Sequence, residues 1–152
     1  MNQRAMDKVN EKAKAMVLMV CSANVCRSPV AEHLLRDRLQ RAGVSGIAVE
    51  SAGAMGMVPI DVPASCVSLL AERGLDVSGH RSKRVDEAML ERATLVLCMA
   101  GEHVERLRTC FPDCAAKVHL LASMAGEGCD SAGNTHPTIT GESRDGLAGK
   151  CP

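Results

Sequence analysis

Residues 15–29 read AMVLMVCSANVCRSP. Three signals follow one another in this stretch. Ala15–Val20 is an unbroken apolar run, the pattern of a strand buried on both faces. Small and polar residues then form a short loop from Cys21. Ser28-Pro29 predicts a helix start, because Ser is a good cap and Pro suits the first helical position. The helix continues through Val30, Ala31, Leu34, Leu35 and Leu39 at helical spacing. Charged Glu32, Arg36, Asp37 and Arg38 lie between them, and Gly43 stops it.

A strand, a tight loop and a helix N-terminus in that order make an oxyanion site. The helix end presents free N–H groups and partial positive charge. A tight loop curls further N–H groups around the same anion. Arg27 adds a planar fork that matches two phosphate oxygens. The same positive field favours the thiolate form of Cys21. A thiolate facing a cradled phosphate is a nucleophile aimed at phosphorus, which predicts a two-step displacement through a phosphocysteine. Ser28 is placed to hydrogen-bond the Cys21 sulfur. Asn24 is expected to brace the loop, since Asn tolerates left-handed backbone. Cys26 has two readings: packing, or a reversible disulfide with Cys21 under oxidation. Cys21 and Arg27 with five residues between them make a weak pattern alone; the preceding strand and following helix start give it meaning.

Further along, Ile47–Glu50 reads as a second strand ended by Ser51-Ala52-Gly53, and Pro59–Pro63 as a loop. Ala64–Arg73 reads as a helix with Val67, Leu70 and Ala71 inward, and Asp86–Arg92 as a short helix. Thr94–Met99 is a third buried strand, Glu102–Cys110 a helix, and Lys117–Ala122 a fourth strand. Alternating strands and helices predict an α/β layer fold with a parallel sheet, whose ligand site lies at the carboxyl ends of the strands. Cys21 follows the first strand at that edge. Met1–Lys14 is polar and mildly basic, with four Lys/Arg against two acids, and reads as an N-terminal extension. From Gly126 to Pro152 the character changes. These 27 residues hold six of the thirteen Gly and few large apolar residues, which predicts a loose tail.

The chain has 152 residues, enough for one core, and a formal net charge of zero. No global basic field exists for nucleic acid or an anionic membrane, so a phosphate must be held by a local site. Phe111 is the single aromatic residue, and nine Met point to a deformable core. No apolar run is long enough to cross a bilayer, and no secretory signal stands at the start. Eight Cys in such a chain are expected to be mostly reduced thiols in the cytoplasm. Cys66 and Cys98 read as small buried residues. No CxxC pair occurs and the five His are scattered, so neither a metal nor another cofactor is expected.

The stretch VLMVCSANVCRSPVAEHLL resembles the signature of low-molecular-weight protein tyrosine phosphatases. The similarity continues in Ser51-Ala52-Gly53, in RGLDVSGHRS over 73–82, in VLCM over 96–99 and in KVHLL over 117–121, so that it spans roughly residues 15–125. It implies a three-layer α/β domain with a four-stranded parallel sheet flanked by helices, no metal, and hydrolysis of a phosphorylated protein or small phosphomonoester. Carried over by position, Cys21 is the nucleophile and Arg27 binds phosphate. Ser22, Ala23, Asn24, Val25, Cys26 and Ser28 complete the binding loop, with Ser51 supporting it. His80 falls in a stretch that packs near the site and reads as structural. Val25 stands where phosphotyrosine-directed members carry an aliphatic residue and phosphoarginine-directed members carry Thr.

Three departures from the family pattern concern the second half. The family's general acid sits in an Asp-Pro pair, and this chain has none. Asp130 lies at about the right distance and is the candidate acid. A closing helix is not expected after Gly126. Met55, Met57 and Val58 stand where the family has cleft aromatics. Two alternatives share the loop: a thioredoxin-coupled arsenate reductase, which requires further redox Cys just after the third strand, and an oxyanion-binding relic without turnover.

Overall fold

The computed structural model describes residues 13–55 and 60–124. The N-terminal extension before Ala13, Met57, Val58, the tail from 126 onward and with it Asp130 lie outside the described residues. The elements run β1 (Ala15–Cys21), α1 (Arg27–Arg41), β2 (Ile47–Gly53), α2 (Ala64–Ala71), α3 (Glu87–Arg92), β3 (Leu95–Cys98), α4 (Gly101–Cys110) and β4 (Val118–Leu120). Short 3₁₀ turns at Pro112–Lys117 and Leu121–Met124 flank β4.

The four strands form one all-parallel sheet in the order β2-β1-β3-β4. This is the expected α/β architecture, and it places β1 in the interior. Its side chains alternate between two cores. Leu18 and Val20 point to one face with Ala52, Val96, Cys98, Leu107 and Val118. Met19 points to the other with Val49 and Leu97, under Ala31, Leu35 and Leu39 of α1. A third cluster, Val62, Cys66, Leu70 and Val77, seats α2 beside Val30 of α1. Each face carries helices, so β1 needs no polar side, which is why its sequence is an uninterrupted apolar run. From β1 the chain passes out to β2, then crosses back over β1 to β3. The reversal falls between the carboxyl ends of β1 and β3, the place where open parallel sheets bind ligands.

Several boundaries differ from the sequence reading. α1 begins at Arg27, with Cys26 rather than Ser28 at the cap position and no side-chain cap bond. The Ser28 hydroxyl is occupied elsewhere. Gly43 does end this helix, at φ +68°. Leu34 is exposed, whereas Glu32 is buried. β2 runs on through Ser51, Ala52 and Gly53, all buried. In α2 Cys66 and Leu70 are buried and Val67 packs against their cluster, whereas Ala71 is exposed. Asp86 caps α3 by accepting the Met89 N–H at 2.7 Å. β4 is three residues long because the chain turns into a 3₁₀ helix at Leu121.

Gly53 shows why the end of β2 carries small residues. A Cβ there would sit 2.8 Å from the Ser22 carbonyl oxygen, 3.0 Å from the Ala23 carbonyl carbon and 3.1 Å from the Asn24 nitrogen. All three are backbone atoms of the loop after β1, so the loop rests directly on this glycine. Beyond it, Gly53 exchanges backbone hydrogen bonds with Lys83 and Val85, which extends the sheet edge along residues 83–85.

Candidate active site

Cys21 ends β1, buried, with its Sγ 3.0 Å from the Ser28 Oγ in the first turn of α1. Asn24 is fully buried in left-handed backbone at φ +56°, a conformation that Asn adopts more readily than most residues. Its Nδ2 donates to Ser28 Oγ at 3.0 Å and to Ser51 Oγ at 2.8 Å, and its Oδ1 accepts the Lys83 N–H at 2.9 Å. Ser51 in turn donates to the buried Glu32 carboxylate, which also pairs with Arg36 at 2.6 Å.

These bonds have a direction. An ionised carboxylate only accepts, so the Ser51 hydrogen goes to Glu32 and its oxygen receives Asn24. The second Asn24 hydrogen goes to Ser28, whose own hydrogen is then left to point at the Cys21 sulfur. The chain Glu32–Ser51–Asn24–Ser28 therefore ends in a hydroxyl donor on Sγ. The Asn24 carbonyl lies 2.9 Å from His80 Nε2. Burial holds the His80 pKa below its ordinary value, so the ring is neutral and donates this bond. His80 thus acts structurally, as the sequence suggested.

The remaining loop residues line the opening. Ser22, Ala23 and Val25 are half-buried; Cys26 and Arg27 are exposed. No backbone carbonyl among the described residues accepts from the amides of Ser22 to Cys26. Arg27 Nη2 donates to Ser22 Oγ at 3.3 Å, setting the guanidinium at the mouth of the loop. Met55, of the residues expected in place of cleft aromatics, is exposed, and its N–H bonds the Ser22 carbonyl at 2.9 Å.

Two contacts had no sequence signal. Cys26 Sγ lies 2.9 Å from Cys66 Sγ of α2. That hydrogen bond, followed by burial, pushes the Cys26 thiol up to about 11. Ser22 Oγ lies 2.8 Å from Nε2 of His103, a buried residue in the first turn of α4. Only the position of α4 hints at it: the helix opens directly after β3, at the same sheet edge as Cys21. Cys98 is fully buried in β3, and burial drives its thiol up to about 12. It is an inert core residue, which removes it as a redox relay. Among the described residues no group of three or more His, Cys, Asp or Glu is placed to hold a metal ion. No described helix is long and apolar enough to cross a membrane. A surface cleft of about 470 Å³ lined by Leu34, Asp37, Arg38, Arg41 and Arg73 holds no nucleophile.

A buried cysteine at a parallel-sheet switch point, set over a helix N-terminus and an arginine, defines a thiol-based oxyanion site. Residues 16–142 match the family profile described as low molecular weight phosphotyrosine protein phosphatase. The low molecular weight protein-tyrosine-phosphatase Etp of Escherichia coli (strain K12) is 34% identical over 105 residues, covering 69% of this chain and 68% of Etp. Among solved structures, the low molecular weight protein tyrosine phosphatase from T. tengcongensis superposes with a TM-score of 0.70 at 33% identity, covering 75% of this chain and 78% of its own. A YwlE arginine phosphatase mutant with a phosphorylated active site serine superposes at 0.69 with 29% identity, covering 73% of this chain and 72% of its own. The chain belongs to the low molecular weight phosphotyrosine protein phosphatase family, whose members are cysteine-based hydrolases.

Proposed function

We propose that the chain hydrolyses phosphomonoesters, with phosphotyrosine in a protein as the preferred class, through a phosphocysteine on Cys21. The observation that carries this reading is the Ser28 hydroxyl 3.0 Å from Cys21 Sγ at the N-terminus of α1. In the first step the thiolate attacks phosphorus, the S–P bond forms and the ester P–O bond breaks. The leaving oxygen takes a proton from a general acid, for which Asp130 is the candidate. In the second step water attacks phosphorus and gives a proton to the carboxylate left by the first step, the S–P bond breaks and its electron pair returns to sulfur. The Ser28 hydroxyl stabilises the departing thiolate, and inorganic phosphate leaves. Arg27 and the amides from Ser22 to Ser28 hold the phosphoryl oxygens as charge redistributes over them. Asn24, Ser51 and His80 keep the loop in shape.

The phosphorylated serine of the YwlE mutant supports the covalent step, and the aliphatic Val25 supports phosphotyrosine over phosphoarginine. A cytoplasmic setting suits the free thiols of Cys21, Cys26, Cys66, Cys98 and Cys114. We take the catalytic unit as residues 15–125 with 126–152 as an appended segment that brings Asp130.

A series of aryl phosphates with leaving groups of differing pKa tests the scheme. Hydrolysis should be abolished in Cys21→Ser. Asp130→Asn should slow poor leaving groups by about 10²-fold while sparing good ones, since proton transfer matters most for a basic leaving oxygen. Equal rates across the series would remove Asp130 from the mechanism. Arsenate reduction without ester hydrolysis, or phosphate binding without turnover, would overturn the assignment.

A further inference from the structure

His103 is the one described residue whose buried side-chain nitrogen, Nδ1, has no hydrogen-bond partner among the described residues. Its other nitrogen, Nε2, meets two groups: Ser22 Oγ at 2.8 Å and Glu102 Oε1 at 3.6 Å. Ser22 Oγ also receives Arg27 Nη2 at 3.3 Å. Ser22, His103 and Arg27 come from the loop, α4 and the start of α1, so the contact ties both sides of the sheet's switch point to the mouth of the loop.

Hydrogen-bond arithmetic decides which ring nitrogen carries the proton. A serine hydroxyl has one hydrogen and two acceptor sites, guanidinium only donates, and an ionised carboxylate only accepts. Burial, and then the Arg27 charge, lower the His103 pKa, so the neutral ring holds one proton. On Nδ1 that proton would be a buried N–H without an acceptor, an arrangement proteins avoid. It would also aim the Nε2 lone pair at the Glu102 carboxylate. On Nε2 it removes both penalties.

We propose that His103 is a positioning residue of the anion site: its Nε2–H donates to Ser22 Oγ, which thus accepts from both His103 and Arg27 and keeps its own hydroxyl hydrogen for the oxyanion in the loop. The opposite tautomer would draw that hydrogen towards His103 and leave Ser22 nothing to donate. His103 therefore recruits Ser22 as a side-chain donor alongside the loop amides and, through it, sets the Arg27 fork. This rests on the loop holding a phosphate, as proposed above.

Two measurements separate the inference from that reading. Long-range ¹H–¹⁵N NMR of the imidazole of the free protein near pH 7 should show a bare Nδ1 and a protonated Nε2 for His103; the reverse pattern overturns the proposal whether or not the protein is active. Calorimetric binding of inorganic phosphate should weaken about tenfold or more in Ser22→Ala and in His103→Leu, the loss of one hydrogen bond to a charged group. The double variant should be no weaker than either single one, because both remove the same donor. His103→Gln, whose Nε2–H can still reach Ser22, should restore most of the affinity and also guards against misfolding in His103→Leu. Additive losses in the double variant, or wild-type phosphate affinity in folded His103→Leu, would refute the role. If the wild-type protein binds no phosphate, the functional reading fails and the tautomer measurement alone decides His103.

Discussion

Replacing Asn24 by Ala should be among the most damaging single changes outside the apolar core. The side chain is fully buried and makes three hydrogen bonds, to Ser28, Ser51 and the Lys83 amide. At about 1 kcal/mol net for each bond, their loss amounts to about 3 kcal/mol. Alanine must also hold φ near +56°, which costs about 1 kcal/mol more. The expected loss of about 4 kcal/mol is a large part of the roughly 5–15 kcal/mol stability of a domain. At about 2–4 °C per kcal/mol it lowers Tm by roughly 8–16 °C. Ser51→Ala, which breaks one link to Asn24 and one to Glu32, should cost about half as much. Urea unfolding of both variants, read alongside thermal melts, measures the order directly. An Asn24→Ala protein within about 1 kcal/mol of wild type would show that the buried network does not hold the loop.

Other expected outcomes concern protons, thiols and space. His80 and His103 both have pKa values held below the ordinary 6.5, chiefly by burial. Each takes up a proton more readily when unfolded, so their contribution to stability is complete above pH 6.5 and declines as pH falls through the folded values. The urea midpoint should therefore drop between pH 7.5 and 5.5, and His80→Gln should flatten that drop; an unchanged slope would contradict the assignment. With its thiol pushed up to about 11, Cys26 should react with iodoacetamide at pH 8 roughly 10²-fold more slowly than an ordinary exposed cysteine. Cys66→Ala should raise that rate, as read by mass spectrometry after reduction. Gly53→Ala should cost about 1–3 kcal/mol and weaken phosphate binding, because the new methyl meets loop backbone rather than a movable side chain.

The first strand, the loop and the sheet type were legible because their signals are local. A six-residue apolar run has one good interpretation between two helical layers, and Cys21, Asn24, Arg27 and Ser28 lie within eight positions of one another. The helix start was misread for a physical reason: Ser28 looks like a cap, yet its hydroxyl serves Cys21 and Asn24, and the chain enters the helix two residues earlier, with Cys26 at the cap position. Ser51-Ala52-Gly53 looked like a strand end, since small residues carry no apolar alternation. They remain in β2 because the loop backbone lies directly against them. Glu32 read only as one of the charged residues between the apolar positions of α1, but its carboxylate receives Ser51 from a neighbouring strand. His103 and Cys66 were beyond any local pattern, as their loop partners are 81 and 40 positions away in the chain. The family profile matches residues 16–142, a span that contains Asp130.

The carboxylate of Glu32 has a consequence for how a ligand arrives. Because one fixed negative charge orders every hydrogen from Ser51 to Ser28, the loop's shape is set by the protein's own interior and not by the anion it receives. An incoming phosphate then loses its own freedom of motion but asks little ordering of the chain around it. Association should be governed by diffusion and local charge rather than by a slow rearrangement. Phosphate, vanadate and sulfate should consequently differ in how long they stay much more than in how quickly they enter.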